Sequence, residues 1–257
     1  MFDLSERVIL VTGGNGGIGL GMADACARAG ARLAIWGTNP DKNAAAVAQL
    51  REHGVEAQAW VCDVSERHQV NATMTAVLHA FGRLDGCIAN AGVSGNGQHA
   101  FHDMPVDAWR RVMSINLDGV FFVYQAALRH MVERAKQGDA FGRLVCMSSI
   151  ASTFGAVGNE HYAATKGGLN ALTYALSVGY ARYGITANAI LPGWIETDMA
   201  AGAIANEKFA TDVGARIPLR RWGAPDDFAG MSVYLMSEAS RYHTGQLIQI
   251  DGGYGRF

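Results

Sequence analysis

Tyr162 and Lys166 stand four residues apart in the stretch SIASTFGAVGNEHYAATK, residues 149–166. If the chain is helical from about residue 160, the two side chains share one face, one turn apart. A lysine ammonium beside a phenol favours the phenolate and draws its pKa down from about 10. A tyrosine so placed can pass a proton to or from a carbonyl or alcohol oxygen. Ser149 ends an apolar, strand-like run and is placed to hydrogen-bond the same oxygen. By itself the Tyr–Lys pair is weak evidence. Tyrosines commonly sit in cores with a wet tip, and lysines in solvent. The elements that must position the pair decide its meaning.

A chain of 257 residues, 49% hydrophobic, can build one large α/β domain or two small ones. Glycine is abundant at 32 and proline scarce at 5, which suits tight strand-to-helix turns. The net charge of −2 comes without a basic cluster and argues against nucleic acid as a partner. The longest apolar run, GVFFVYQAAL, is too short to cross a membrane. The first strand follows Met1 so closely that no leader peptide is expected. Cys26, Cys62, Cys87 and Cys146 are scattered in apolar contexts without metal-ligand spacing. Buried free thiols and a reducing, cytoplasmic compartment are the expectation.

RVILVT (7–12) reads as a central strand, GGNGGIGLG as a glycine loop and MADACARAG as a helix ending at Gly30. This layout sets backbone N–H groups and a helix N-terminus against a pyrophosphate. Two glycine registers overlap here: Gly14-x-Gly16-x-x-Gly19, and Thr12-Gly13-x-x-x-Gly17-x-Gly19. ARLAIW (31–36) is the second strand, followed by Gly37, Thr38 and Asn39; Asn39 is a candidate N-cap, Pro40 a first helical residue and Gly54 the stop. Residues 55–64 form a third strand ending at Asp63, which with Ser65 is a candidate helix start. Residues 83–92 form a fourth, ending in Asn90-Ala91-Gly92, where small residues admit a flat ligand. From Pro105 to about Gln137 the pattern is one long helix with Asn116 in its middle, a poor interior helix residue that is either exposed or has a task. Strands follow at 141–149, 185–191 and 246–253, with a helix over 161–184 and another starting at Ala224. Strand and helix alternate throughout. This predicts a single doubly wound parallel sheet of about seven strands, in one Rossmann-type α/β domain over 1–257. Every candidate site residue follows the C-terminal end of a strand, where open α/β sheets bind ligands.

Taken together, TGGNGGIG, ANAG, INLDG, SSIAS, YAATK, PGWIET and the terminal DGG resemble the short-chain dehydrogenase/reductase family over essentially the whole chain, on the pattern of its 3-oxoacyl-ACP-reductase-like and carbonyl-reductase-like members. The resemblance selects Gly13, Gly17 and Gly19 as the glycine register. It implies a catalytic tetrad of Asn116, Ser149, Tyr162 and Lys166. Tyr162 is then the acid in reduction and the base in oxidation, and Ser149 polarises the carbonyl. Lys166 lowers the Tyr162 pKa and bonds the nicotinamide ribose, and Asn116 holds a relay water. Asn15 and Ile18 join the glycine register around the pyrophosphate. Asp63 and Val64 line the adenine, Asn90, Ala91 and Gly92 the adenosine ribose side, and Pro192, Gly193, Ile195 and Thr197 the nicotinamide amide.

The chain departs from the family pattern where the cofactor is chosen. NAD members usually carry an acid at Gly37, and NADP members a base at Gly16 or Thr38. Neither device is present. Thr38 and Asn39 can bond a 2′-phosphate that nothing acidic repels, so the balance tilts to NADP, with NAD as the alternative.

The segment 194–222, with Trp194, Met199, Phe209 and Trp222, is expected to be mobile and to cover a small-molecule substrate in a mainly hydrophobic pocket. Ketones and 3-oxoacyl compounds fit such a pocket; a polyol or sugar alcohol dehydrogenase is the alternative, and a cofactor-binding protein without turnover a more distant one. His99, His102, Glu160 and His161 read as ordinary surface residues. The resemblance also implies a homotetramer through helices at 105–136 and 160–183.

Overall fold

The computed structural model describes residues 2–95 and 99–256. Seven strands form one sheet: β1 Val8–Thr12, β2 Arg32–Gly37, β3 Ala57–Val61, β4 Gly86–Ala89, β5 Gly142–Met147, β6 Ile185–Pro192 and β7 Leu247–Ile250. The order is β3-β2-β1-β4-β5-β6-β7, and every pairing is parallel. β1, β5 and β6 are buried along their whole length, as strands covered on both faces must be. Side chains alternate between two cores. Val8 and Leu10 join one core with the helices α3 (Arg67–Phe81), α5 (Gly119–Lys136) and α7 (Glu160–Tyr180). Ile9 and Val11 join the other with α1 (Gly17–Arg28), α2 (Pro40–Arg51) and α10 (Ala229–Met236). Sequential strands run outward from β1 to β3, and the chain then returns to place β4 on the other side of β1. That reversal opens a crevice above Thr12 and Ala89.

The element boundaries differ from expectation in instructive ways. α1 starts at Gly17, inside the glycine loop, rather than at Met22. α3 starts at Arg67 with Glu66 before it, so neither Asp63 nor Ser65 caps it; Asp63 Oδ1 instead accepts from Ser65 N (2.9 Å) and Ser65 Oγ (2.7 Å). The expected long helix is interrupted. α4 (Val106–Met113) leads into a π-helical turn, Ser114–Asp118, in which Gly119 N donates to Ser114 O, and α5 then resumes. The segment 194–222 contains two short helices, α8 (Ala201–Ile204) and α9 (Glu207–Arg216). Asn39 caps α2 as expected, its side chain accepting from Lys42 N at 2.9 Å. No helix among the described residues is long and apolar enough to cross a membrane. All four cysteines are buried and unpaired.

The opposite end of the two central strands is held by a buried carboxylate. Asp85 is fully buried just before β4, and its Oδ2 accepts from Val8 N of β1 (2.9 Å). Arg83 grips it with two hydrogen bonds of 2.9 and 2.7 Å, and Arg134 Nη1 lies 3.1 Å from Oδ1. This anion therefore ties β1 and β4, the two strands that bound the crevice, to α5. Removing one partner of such a buried cluster strands the remaining charges and a backbone donor. Asp85→Ala is expected to lower the unfolding free energy by about 3–5 kcal/mol, measured by urea denaturation. A loss below about 1 kcal/mol would show that the cluster is not what holds these strand ends.

Candidate functional site

The crevice floor is the glycine loop. Gly13 and Gly17 adopt φ +62° and +50°, whereas Gly14 and Gly16 do not take positive φ. The geometry thus selects the Gly13/Gly17/Gly19 register over the overlapping one. Gly19 is required by space: a Cβ there would collide with Gly13 O and Asn90 Nδ2. Asn90 Nδ2 donates to Thr12 O (3.1 Å) and Gly13 O (3.0 Å), while the N–H groups of Asn90 and Ala91 both donate to Thr12 Oγ1 at 3.1 Å. Thr12 and Asn90 therefore stitch β1 to β4 beneath the loop. Thr12 is a positioning residue the sequence argument used only as part of a motif.

The loop fits a dinucleotide on its own evidence. Gly16 precedes α1 and has no side chain to satisfy the first N–H groups of a 12-residue helix. A Cβ placed on Gly16 meets nothing within 4 Å, so open space fronts those donors. Free donors, the positive end of a helix dipole and room in front of them make an anion site. Ile18 is half-buried and packs on the second core, which fixes the turn from below.

At the end of β2, Gly37 is crowded by two side chains. A Cβ there would run into Asn15 Nδ2 and Asn43 Oδ1, which are joined by a 2.7 Å hydrogen bond. Asn43 Nδ2 donates in turn to Gly37 O (3.0 Å) and Trp60 O (3.2 Å). Where an acid would stand at this position, the Asn15 and Asn43 side chains meet instead. Thr38 and Asn39 are exposed beside it. Asp63 N is bonded to Gln69 Oε1 at 2.9 Å, and Val64 is buried against Gly119.

Above the crevice, Tyr162 is half-buried in the first turn of α7 and hydrogen-bonds Ser149. Ser149 Oγ also accepts from Ala151 N at 3.1 Å, which fixes its rotamer. Lys166 is buried; its Nζ donates to Met147 O at 2.6 Å and lies 5.3 Å from the centre of the Tyr162 ring. The expected depression of the tyrosine is not what this arrangement gives. Burial pushes the Tyr162 phenol up, with only partial relief from the Ser149 hydrogen bond. Burial pushes Lys166 down, to about 8. Desolvation outweighs the ammonium–phenol attraction.

Asn116 is fully buried in the π-turn, which resolves its odd placement in favour of a task. Its Oδ1 accepts from Val93 N (2.8 Å) and its Nδ2 donates to Val93 O (2.9 Å). The amide thus pairs with the Val93 peptide, and Nδ2 also donates to Thr165 Oγ1 at 3.4 Å. Gly92 packs close by: a Cβ on it would lie 3.3 Å from Asn116 Oδ1 and 3.6 Å from Lys166 Nζ.

The wall after β6 is equally tight. Gly193 N donates to Ile250 O (2.9 Å), and a Cβ on Gly193 would press on Asp251 at 2.7 Å. Pro192 ends β6, and Ile195 bridges to Gly223. Thr197 reaches over α1: its Cγ2 is 3.3 Å from where a Gly17 Cβ would be. Trp194 packs edge-on against Phe209 (5.0 Å) and Trp222 (5.8 Å), so three of the four large side chains of this segment form one cluster, while Met199 is exposed.

The residues before Tyr162 correct the surface reading. His161 is 3% exposed, not a surface residue, and its ring fills the space where a Gly95 side chain would go. Its Nδ1 and the Oε2 of Glu160 are buried without partners. Asn159 pins the strand-four loop, accepting from Gly95 N (2.9 Å) and donating to Ser94 Oγ (3.0 Å). Nothing in the sequence marked Asn159. His102, in contrast, is exposed as expected.

Comparisons with known proteins agree with this geometry. A family described as enoyl-(acyl carrier protein) reductase, a branch of the short-chain dehydrogenases, matches residues 13–255. The chain is 33% identical over 253 residues to 5-keto-D-gluconate 5-reductase of Escherichia coli, covering 98% of this chain and 97% of that one. It is 36% identical over 251 residues to L-rhamnose 1-dehydrogenase (NAD(P)(+)) of a Sphingomonas species, covering 97% and 96%. The crystal structure of a gluconate 5-dehydrogenase from Burkholderia cenocepacia, in complex with NADP and tartrate, superimposes with a TM-score of 0.93 at 35% identity, covering 100% and 98%. With likeness of this extent from end to end, the chain belongs to the short-chain dehydrogenase/reductase family of oxidoreductases acting on alcohol/ketone pairs.

Proposed function

We propose that the protein is an NADP-preferring reductase of polyhydroxylated ketones, also running as the dehydrogenase of the matching alcohols. The observation that carries the reading is the Ser149–Tyr162–Lys166 arrangement at the mouth of a crevice floored by an uncapped helix N-terminus. When bound, the nicotinamide supplies or takes the hydride. Tyr162 holds the proton at the substrate oxygen, and Ser149 Oγ orients that oxygen. In reduction the Tyr162 O–H bond breaks and the proton goes to the carbonyl oxygen; the phenolate left behind is stabilised and reprotonated by Lys166. Asn116 acts by holding the Val93 loop and the π-turn. Gly13, Asn15, Gly17, Ile18 and Gly19 carry the pyrophosphate, and Gly37, Thr38 and Asn39 the ribose. Asp63, Val64, Asn90, Ala91 and Gly92 frame the adenosine, and Pro192, Gly193, Ile195 and Thr197 the nicotinamide amide. Gly37, Thr38 and Asn39 favour NADP, because no acid stands where it would repel a 2′-phosphate.

The substrate class rests on the named relatives, whose names give keto sugar acids, sugar acids or a sugar as what they act on. The segment 194–222 covers the substrate as part of one domain over 1–257. Exposed Val106 and Phe121 on one helical stretch, and Tyr174 and Val178 on α7, support a homotetramer. The four buried thiols fit a cytoplasmic, reducing setting, which cell fractionation checks.

Tyr162→Phe is expected to cut turnover by about 10²–10⁴-fold while cofactor affinity, read by nicotinamide fluorescence, is kept. With Tyr162 raised and Lys166 at about 8, the pair sheds its first proton near pH 8, and the species lacking that proton is the base needed for oxidation. Alcohol oxidation therefore rises through about pH 8 in wild type, reduction is favoured below it, and the variant loses this rise. Unchanged turnover in the variant sinks the assignment. Sedimentation equilibrium should give four times the 27.3 kDa chain mass; a monomer at micromolar concentration removes the tetramer.

A further inference from the structure

The crevice is crossed by one ion pair that the proposed mechanism does not use. Lys42, in the first turn of α2, places Nζ 2.8 Å from Asp198 Oδ2. The two ends belong to opposite walls. Lys42 N donates to Asn39 Oδ1, so Lys42 and the 37–39 turn form one unit. The next residue, Asn43, bonds both Gly37 O and Asn15, which ties that unit to the glycine loop. Asp198 follows Thr197, the residue that reaches over Gly17. The pair thus spans the crevice mouth from the ribose side to the roof above the helix N-terminus.

We propose that Lys42 is the residue that reads the cofactor's 2′-phosphate, leaving Asp198 to do so. The inference rests on the dinucleotide reading above and deepens it. The positions at which a cation would stand in this family, Gly16 and Thr38, carry no charge. The charged side chains of the α2 first turn are Asp41 and Lys42, and only Lys42 can attract a phosphate. Its present partner holds it weakly: Lys42 and Asp198 are 56% and 93% exposed, and exposed pairs contribute little. A 2′-phosphate carries nearly two charges and three acceptor oxygens against the single charge of a carboxylate, so exchange favours the phosphate. Asp198 acts as a competitor. It keeps Lys42 at the rim and opposes the incoming anion, which moderates the preference for NADP over NAD.

The test is calorimetric binding of 2′,5′-ADP and 5′-AMP, with NADPH and NADH alongside, to wild type, Lys42→Met and Asp198→Asn. Wild type binds 2′,5′-ADP more tightly than 5′-AMP. Lys42→Met reduces that ratio at least tenfold and leaves the 5′-AMP and NADH affinities unchanged. Asp198→Asn moves the ratio the other way, raising it several-fold, and adding salt shrinks it in wild type more than in Lys42→Met. A ratio insensitive to Lys42→Met, or an equal loss of 5′-AMP binding, overturns the role of Lys42 while leaving the dinucleotide reading intact. Failure of wild type to bind any of the four nucleotides overturns both.

Discussion

The crevice depends on a close approach that only glycine permits. At position 19 the space a side chain would need is taken by Gly13 O and the amide of Asn90. That amide ties the end of β1 to the end of β4, the two strands between which the sheet reverses its order. Because α1 begins inside the glycine loop, its first N–H groups face the same opening. A larger residue at 19 would part the strands and turn the helix away together. The anion site and the floor on which a nicotinamide would rest are consequences of one contact, and Asp85 secures the same two strands at their other ends.

Above that floor, burial governs the chemistry. Tyr162 and Lys166 are brought close by helical spacing, but their electrostatics come from desolvation, which moves the phenol up and the ammonium down. Their affinities for the proton are drawn apart from the order a simple attraction would give, and the proton at issue belongs to the pair. A protonated tyrosine with a lysine able to resupply it suits reduction at neutral pH. The 2.6 Å bond from Lys166 to Met147 O anchors the ammonium to the end of β5, two residues from Ser149, so the strand positions both partners of the tyrosine.

Much of this was legible in the chain. The alternation of apolar runs with glycine turns marked the seven parallel strands, and the motifs singled out Ser149, Tyr162 and Lys166, which the fold brings together, and the glycine register that the φ angles select. What was not legible depended on contacts between distant segments. A π-turn leaves the apolar periodicity of 105–137 nearly unchanged, so one helix was expected where the chain makes three pieces around Asn116. Gly37 looked like an open position lacking an acid; that Asn15 and Asn43 crowd it depends on the glycine loop meeting α2. His161 is polar and next to a site residue, which reads as surface, yet the loop carrying Gly95 folds over it. The sign of the Tyr162 shift needed burial, which no spacing reports.

The proposed function stands on direct hydride exchange between a nicotinamide and the carbonyl carbon of a polyhydroxylated ketone in this crevice. The measurement that tests it most directly uses NADPH carrying deuterium on the transferring face of C4, with a panel of 5-keto sugar acids, simple ketones and 3-oxoesters, and mass spectrometry of the products. The account predicts one deuterium at the carbinol carbon of the reduced 5-keto sugar acid, with simple ketones and 3-oxoesters slower. Deuterium lost to water, or a nicotinamide that stays reduced across the whole panel, would contradict it.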